Sequence, residues 1–165
     1  WRFLPASDLM VQRFCVRDID SRLSNREKAA VDDWIESGKD FHVMRDHPSH
    51  SNYAMSGGMW CGTHNAVPDM DQRLKNFTMT EAYLQDMNFL NEVIWPLAKD
   101  NVLQHDAFSC DKFGGGVPFP TPREGWEHVG SVYINNQMRE KDVKLLKRAG
   151  LVEKCVVQQK NETSG

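Results

Sequence analysis

Several common signatures are missing from this 165-residue chain. No apolar run approaches the roughly 18 residues that cross a bilayer, so no membrane span lies within it. There is no block of Lys and Arg. Twenty basic against 23 acidic residues leave a net charge of −3, which argues against a non-specific nucleic-acid binder. The four cysteines, Cys15, Cys61, Cys110 and Cys155, include no C-x-x-C pair, which weakens a structural zinc reading. No G-x-S-x-G elbow, Walker loop, G-x-G-x-x-G or H-E-x-x-H occurs, and Gly114-Gly115-Gly116 lacks the Lys and Ser/Thr of a phosphate loop. Serine-nucleophile, P-loop and zinc-protease chemistry therefore have no support.

What is present can build a core. The hydrophobic fraction is 40%, with five Trp and eight Phe, so wholesale disorder is not expected. The length suits one domain, read here as residues 1–157 with a polar tail over 158–165. The first residue is Trp1 rather than Met and no signal peptide is visible, so a processed product or a piece of a longer protein is expected. Four cysteines allow three pairings in an oxidising compartment. Cys15 lies in an apolar strand-like run, where a buried free thiol is the expectation. Two N-x-S/T triplets begin at Asn76 and Asn161. They fit a Golgi or secretory lumen, although a cytoplasmic protein could carry them by chance.

Periodicity supplies the elements. Val11 to Asp18 alternates Phe14 and Val16 against Cys15 and reads as a strand ending in charge. Ser24-Asn25-Arg26-Glu27 is a capping box, followed by Ala30, Val31, Trp34 and Ile35 at helical spacing and by Gly38 as a left-handed stop. Phe41 to Met44 is a second strand, and the polar, Pro48-containing stretch Arg45 to Asn52 is a loop. A second capping box, Thr78 to Glu81, opens a long helix striped by Tyr83, Met87, Leu90, Ile94 and Leu97. Pro96 should end or kink it near Trp95. Val102 to His105 and Val129 to Ile134 read as strands, 114–122 as a loop, and Glu140 to Ala149 as a helix closed by Gly150. Strands separated by helices favour an α/β fold with a mostly parallel sheet and flanking helices.

Three groups could carry chemistry. Asp18 and Asp20, two positions apart at a strand end, can converge on a hard cation such as Mg²⁺ or Mn²⁺. With fourteen Asp in the chain, a D-x-D is cheap, and Asp69-Met70-Asp71 is a second copy. A solvated turn paired through Arg17 and Arg22 is an equal reading. Asp86 shares a helical stripe with Ala82, Phe89 and Val93, as a half-buried acid, a site residue or an acid favoured by the helix dipole. Among the histidines, His47 and His50 could bind a metal, but exposed loop histidines are commoner. His105, at a strand end, could add a nitrogen ligand beside the aspartates.

In order, the strand ending Arg17-Asp18-Ile19-Asp20-Ser21-Arg22, the Gly57-Gly58-Met59-Trp60 segment and the helix Asp86-Met87-Asn88-Phe89-Leu90-Asn91 resemble GT-A-fold glycosyltransferases. The block Phe41 to Pro48 and the stretch from Pro118 to Gly130 resemble an uncharacterised branch of them. The resemblance spans roughly Trp1 to Tyr133. It implies a partial GT-A fold and transfer of a sugar from a nucleotide-diphosphate donor to a glycan or other hydroxyl acceptor, with Mn²⁺ or Mg²⁺. By position it implies Asp18 near the ribose or metal, Asp20 and His105 as metal ligands, Gly57, Gly58 and Trp60 lining the sugar or acceptor side, and Asp86 contacting donor or acceptor. Met87 stands where many relatives have Gln. Only seventeen residues precede Asp18, so the base and ribose pocket is expected to be absent from this chain. The alternatives are a non-catalytic carbohydrate-binding module and a metal-dependent phosphohydrolase built on Asp18, Asp20 and His105.

Overall fold

Alternation in Arg13–Val16 makes β1, whose Phe14 and Val16 are buried while Arg13 and Cys15 face outward. The computed structural model describes residues 2–64, 66–77, 84–150 and 155. The capping box at 78–81, the start of its helix at 82–83, the sequon Asn161 and the tail lie outside the described residues. Helix α1, Asn25–Ser37, begins as its sequence dictates. The Ser24 hydroxyl accepts from the Glu27 amide at 3.2 Å, and Gly38 ends the helix at φ +66°. Glu27 does not close the box. Its carboxylate pairs with Arg17 at the end of β1 instead, which ties the helix to the strand.

Strands β2 (Phe41–Arg45), β3 (Trp60–Thr63) and β4 (Val102–Asp106) complete a sheet in the order β1-β3-β2-β4. β2 and β4 run parallel, while β3 is antiparallel to both β1 and β2. The sheet is therefore mixed and mainly antiparallel. This corrects the expected mostly parallel, partial GT-A architecture. The reason is β3, which hides in a Gly-rich segment with no alternating pattern. It returns from β2 through residues 46–59, with no α-helix carrying the chain across the sheet, and pairs antiparallel with both neighbours.

Every residue of β2 is buried, so it forms the centre of the molecule. Trp60 on β3 packs edge-on against Phe14 at 5.1 Å and near Phe3, in a core that also takes Phe89, Leu90 and Ile94. Those last residues belong to one continuous rod: α3 (Gln85–Phe89), a π-helical turn (Leu90–Ile94) and α4 (Trp95–Ala98). Pro96 neither ends nor breaks it. The wider turn just before the proline absorbs its missing amide hydrogen. Elsewhere, α2 spans Met70–Asn76. The expected strand at 129–134 reduces to a two-residue β5 (Tyr133–Ile134), which turns through Asn135 and Asn136 at φ +49° and +66° into β6 (Gln137–Met138). Helix α5, Glu140–Ala149, is closed by Gly150 as read from sequence.

Both cysteine pairs are disulfides. Cys15–Cys61 crosses directly between register partners of β1 and β3, with Cα atoms 4.0 Å apart, and Cys110 joins Cys155. Cys15 is thus an exposed half-cystine and not a buried free thiol. Replacing Cys15 and Cys61 together by Ser should lower unfolding stability by about 2–4 kcal/mol, because the bridge closes a long loop in the unfolded chain. Urea titration reads the change, and an unmoved midpoint would refute it.

Candidate functional site

A cleft of about 440 Å³ opens where the ends of β1 and β2 meet the start of α3 and the first turn of α5. Asp18, Gly57, Gly58 and Asp86 all line it. These four were singled out by sequence, and the fold brings them together. Gly57 and Gly58 are small for a reason visible here. A Cβ at Gly57 would stand 2.7 Å from Asp86 Oδ2, and one at Gly58 would overlap the Asp18 carboxylate. Arg2 spans the gap between the acids, 2.8 Å from Asp86 and 3.6 Å from Asp18. Asp86 also accepts from the Met87 amide at 2.9 Å at the start of α3. Asn91, one helical turn on, grips the glycine loop. Its amide donates to the Met55 carbonyl at 2.9 Å and accepts from the Met55 amide at 3.1 Å.

The other residues singled out by sequence fall elsewhere. Trp60 is fully buried in the core and is not among the cleft-lining residues. Asp20 is exposed on the turn after β1, with its carbonyl accepting from the Tyr133 amide, and it is not among the cleft-lining residues. His105 is fully buried on β4. Its Nε2 meets Asp33 at 3.0 Å and its Nδ1 meets His42 Nε2 at 2.8 Å. A carboxylate only accepts, so the His105 proton sits on Nε2 and the His42 proton on Nε2. Both His105 nitrogens are committed, and it is not brought to Asp18.

In its place the cleft holds three histidines. The stretch after β2 is no exposed loop: Arg45, Asp46 and His47 are buried. His47, His50 and His128 present one ring nitrogen each, all within 4.8 Å of one another. The His47 and His128 rings stack at 4.5 Å. Burial pushes all three below the usual imidazole range, His128 to about 4 and His50 well down, with the neighbouring rings adding to the effect in both. Neutral imidazoles keep an electron pair for a ligand.

Their placement is fixed by Asp46. This buried carboxylate takes Arg26 in a two-point grip at 2.9 and 3.0 Å, pairs with Arg123, and accepts from the Val129 amide at 3.0 Å. It thereby pins the segment carrying His128 beside the turn carrying His47. Helix α5 supplies the fourth wall. The Asp142 carbonyl lies 3.1 Å from His47 Nε2, and its carboxylate holds Arg139 at 2.7 Å. Sequence reading missed His128, Arg139 and Asp142 here. The density of Arg45-Asp46-His47-Pro48-Ser49-His50 straight after an apolar strand was the only usable signal.

The donor sets differ within one cleft. Asp18, half exposed, offers oxygen to a hard cation such as Mn²⁺ or Mg²⁺, and the histidines offer nitrogen. Family models, curated proteins and solved structures were compared with the chain, and none matches.

Proposed function

We propose that this chain contributes the donor-sugar and acceptor side of a metal-dependent glycosyltransferase that moves a sugar from a nucleotide-diphosphate donor to a hydroxyl acceptor. The observation that carries this reading is the convergence of Asp18, Gly57, Gly58 and Asp86 on one cleft of about 440 Å³, within the range of small-molecule sites. Asp18 and Asp86 supply acceptors for sugar hydroxyls, and the glycines let a ring approach the backbone. Arg2 neutralises the two acids and suits a phosphate oxygen. Asp18, the cleft-lining member of the Asp18/Asp20 pair, would offer its carboxylate to Mn²⁺ or Mg²⁺, which offsets charge on a leaving diphosphate. The two disulfides and the exposed Asn76 favour an oxidising secretory lumen as the site of action.

The test is release of nucleoside diphosphate from a panel of nucleotide sugars with Mn²⁺ present. Asp18→Asn and Asp86→Asn should each slow it by about 100-fold, the scale of removing one group aimed at developing charge. Unchanged turnover in both would overturn the reading. A second reading, a carbohydrate-binding module without catalysis, is favoured by Arg2, whose guanidinium already compensates both acids and leaves a cleft suited to neutral hydroxyls. Calorimetric binding of free glycans with no nucleotide affinity would select it.

A further inference from the structure

We infer that His47, His50 and His128 form a three-imidazole site for a borderline transition-metal ion, Zn²⁺ foremost, with an open coordination position facing the cleft. The inference stands on these rings alone and does not depend on the glycosyltransferase reading.

The geometry comes first. Three atoms no more than 4.8 Å apart lie within about 2.8 Å of a common centre, and a zinc–nitrogen bond is about 2.0–2.1 Å, so each ring has less than an ångström to travel. The rings come from two separate segments, 47–50 and 128, which a single buried carboxylate holds side by side. Such a meeting is not a consequence of local sequence.

The second observation is an unsatisfied atom. His50 Nδ1 is buried and has no hydrogen-bond partner among the described residues. An orphaned buried nitrogen costs about 1–3 kcal/mol unless a ligand uses it. The other two rings are steadied in the manner of metal-bound imidazoles, which ordinarily engage a carbonyl, carboxylate or hydroxyl through the second nitrogen. His47 Nε2 meets the Asp142 carbonyl at 3.1 Å, and His128 Nδ1 meets the Ser131 hydroxyl at 3.0 Å. His47 Nδ1 lies 2.6 Å from the Ser49 hydroxyl on the cleft wall and accepts from the Ser49 amide at 3.2 Å, so a cation would take its electron pair from these two donors of a single residue.

The chemistry of the set selects the metal. All three donors are nitrogen, which suits Zn²⁺, Cu²⁺ or Ni²⁺ and disfavours Mg²⁺ and Ca²⁺. Three protein ligands with a vacant fourth position mark a site that binds a water or a substrate oxygen, where a purely structural zinc would be closed by four protein ligands. His47, His50 and His128 all line the cleft shared with Asp18 and Asp86, so the vacant position faces the same space.

The test uses the whole oxidised chain, treated with chelator and then titrated with Zn²⁺, and separately with Co²⁺ as a spectroscopic probe. One equivalent of Zn²⁺ should bind, and Co²⁺ should give the visible bands of a tetrahedral nitrogen-bound ion. His50→Ala should weaken binding by about 100-fold or more. His50 makes no hydrogen bond through Nδ1 to the described residues, so this variant should keep its fold, which circular dichroism checks. His64→Ala, outside the cluster, should bind as the parent does. Should His50→Ala fail to fold, His128→Gln serves in its place. Equal binding by the parent and the folded cluster variant would overturn the inference. So would loss of binding in Asp18→Asn with retention in the cluster variant, since the cation would then sit on the carboxylate. Absence of stoichiometric binding in the parent would overturn it as well.

Discussion

Asp46→Ala should cost about 3–5 kcal/mol of unfolding stability, the scale of stripping one partner from a buried charge network. The carboxylate is fully buried and receives two guanidinium groups and a backbone amide. Alanine would leave Arg26 and Arg123 without that carboxylate in an interior where charge is poorly solvated. It would also release Val129, and with it His128, from the turn that bears His47. Asp46→Asn keeps the shape and one acceptor oxygen but no charge, and should fall between parent and Ala. Guanidinium denaturation of the three proteins measures the series. A loss below about 1 kcal/mol in Asp46→Ala would mean that the network is not what holds the cleft wall.

Acid should unfold this protein earlier than its carboxylates alone would demand. His42 is buried between the Trp34 ring, stacked at 5.7 Å, and His105. Burial pushes it well below 6.5, with His105 and Arg17 adding to the push. His105 is lowered as well, by burial and by Arg26, although Asp33 pulls the other way. Below 6.5 the unfolded chain therefore takes up protons that the folded chain refuses. Stability from this pair is complete above pH 6.5 and falls as pH drops toward the folded values. Melting temperature followed from pH 8 downward should decline once pH passes 6.5. His42→Phe keeps the ring packing against Trp34 but loses the hydrogen bond to His105. It should start less stable at neutral pH and show a shallower decline. An equal slope in both proteins would assign the acid sensitivity to other groups.

Local chemistry was legible in the sequence wherever it was decided locally. Ser24 and Gly38 bound α1, Gly150 closes α5, and the alternation about Phe14 and Val16 makes β1, because caps and burial patterns are properties of neighbouring residues. β3 was not legible, because Gly57, Gly58 and Gly62 erase alternation from its surroundings, and one unseen strand sufficed to turn a parallel expectation into a mixed sheet. At the site, the acids and glycines were legible because they cluster around chain reversals. His128 was not, since nothing near it in sequence marks it, and only the fold carries it to His47. His105 misled for the opposite reason. A histidine at a strand end reads as a ligand, yet His105 is buried and its Nε2 donates to the Asp33 carboxylate on α1.

The π turn at Leu90–Ile94 settles a matter of phase. Upstream of it, Asp86 and Met87 look into the cleft while Phe89 already packs in the core, and downstream Ala98 packs in the same core. An α-helix advances by about 100° per residue, so the widened turn acts as an angular offset between two faces of one rod. Cleft and core are thus served by two faces of a single helix, with the offset setting which downstream residues share the core face with Phe89. Length changes within this stretch would be read by the molecule as a rotation of one face against the other.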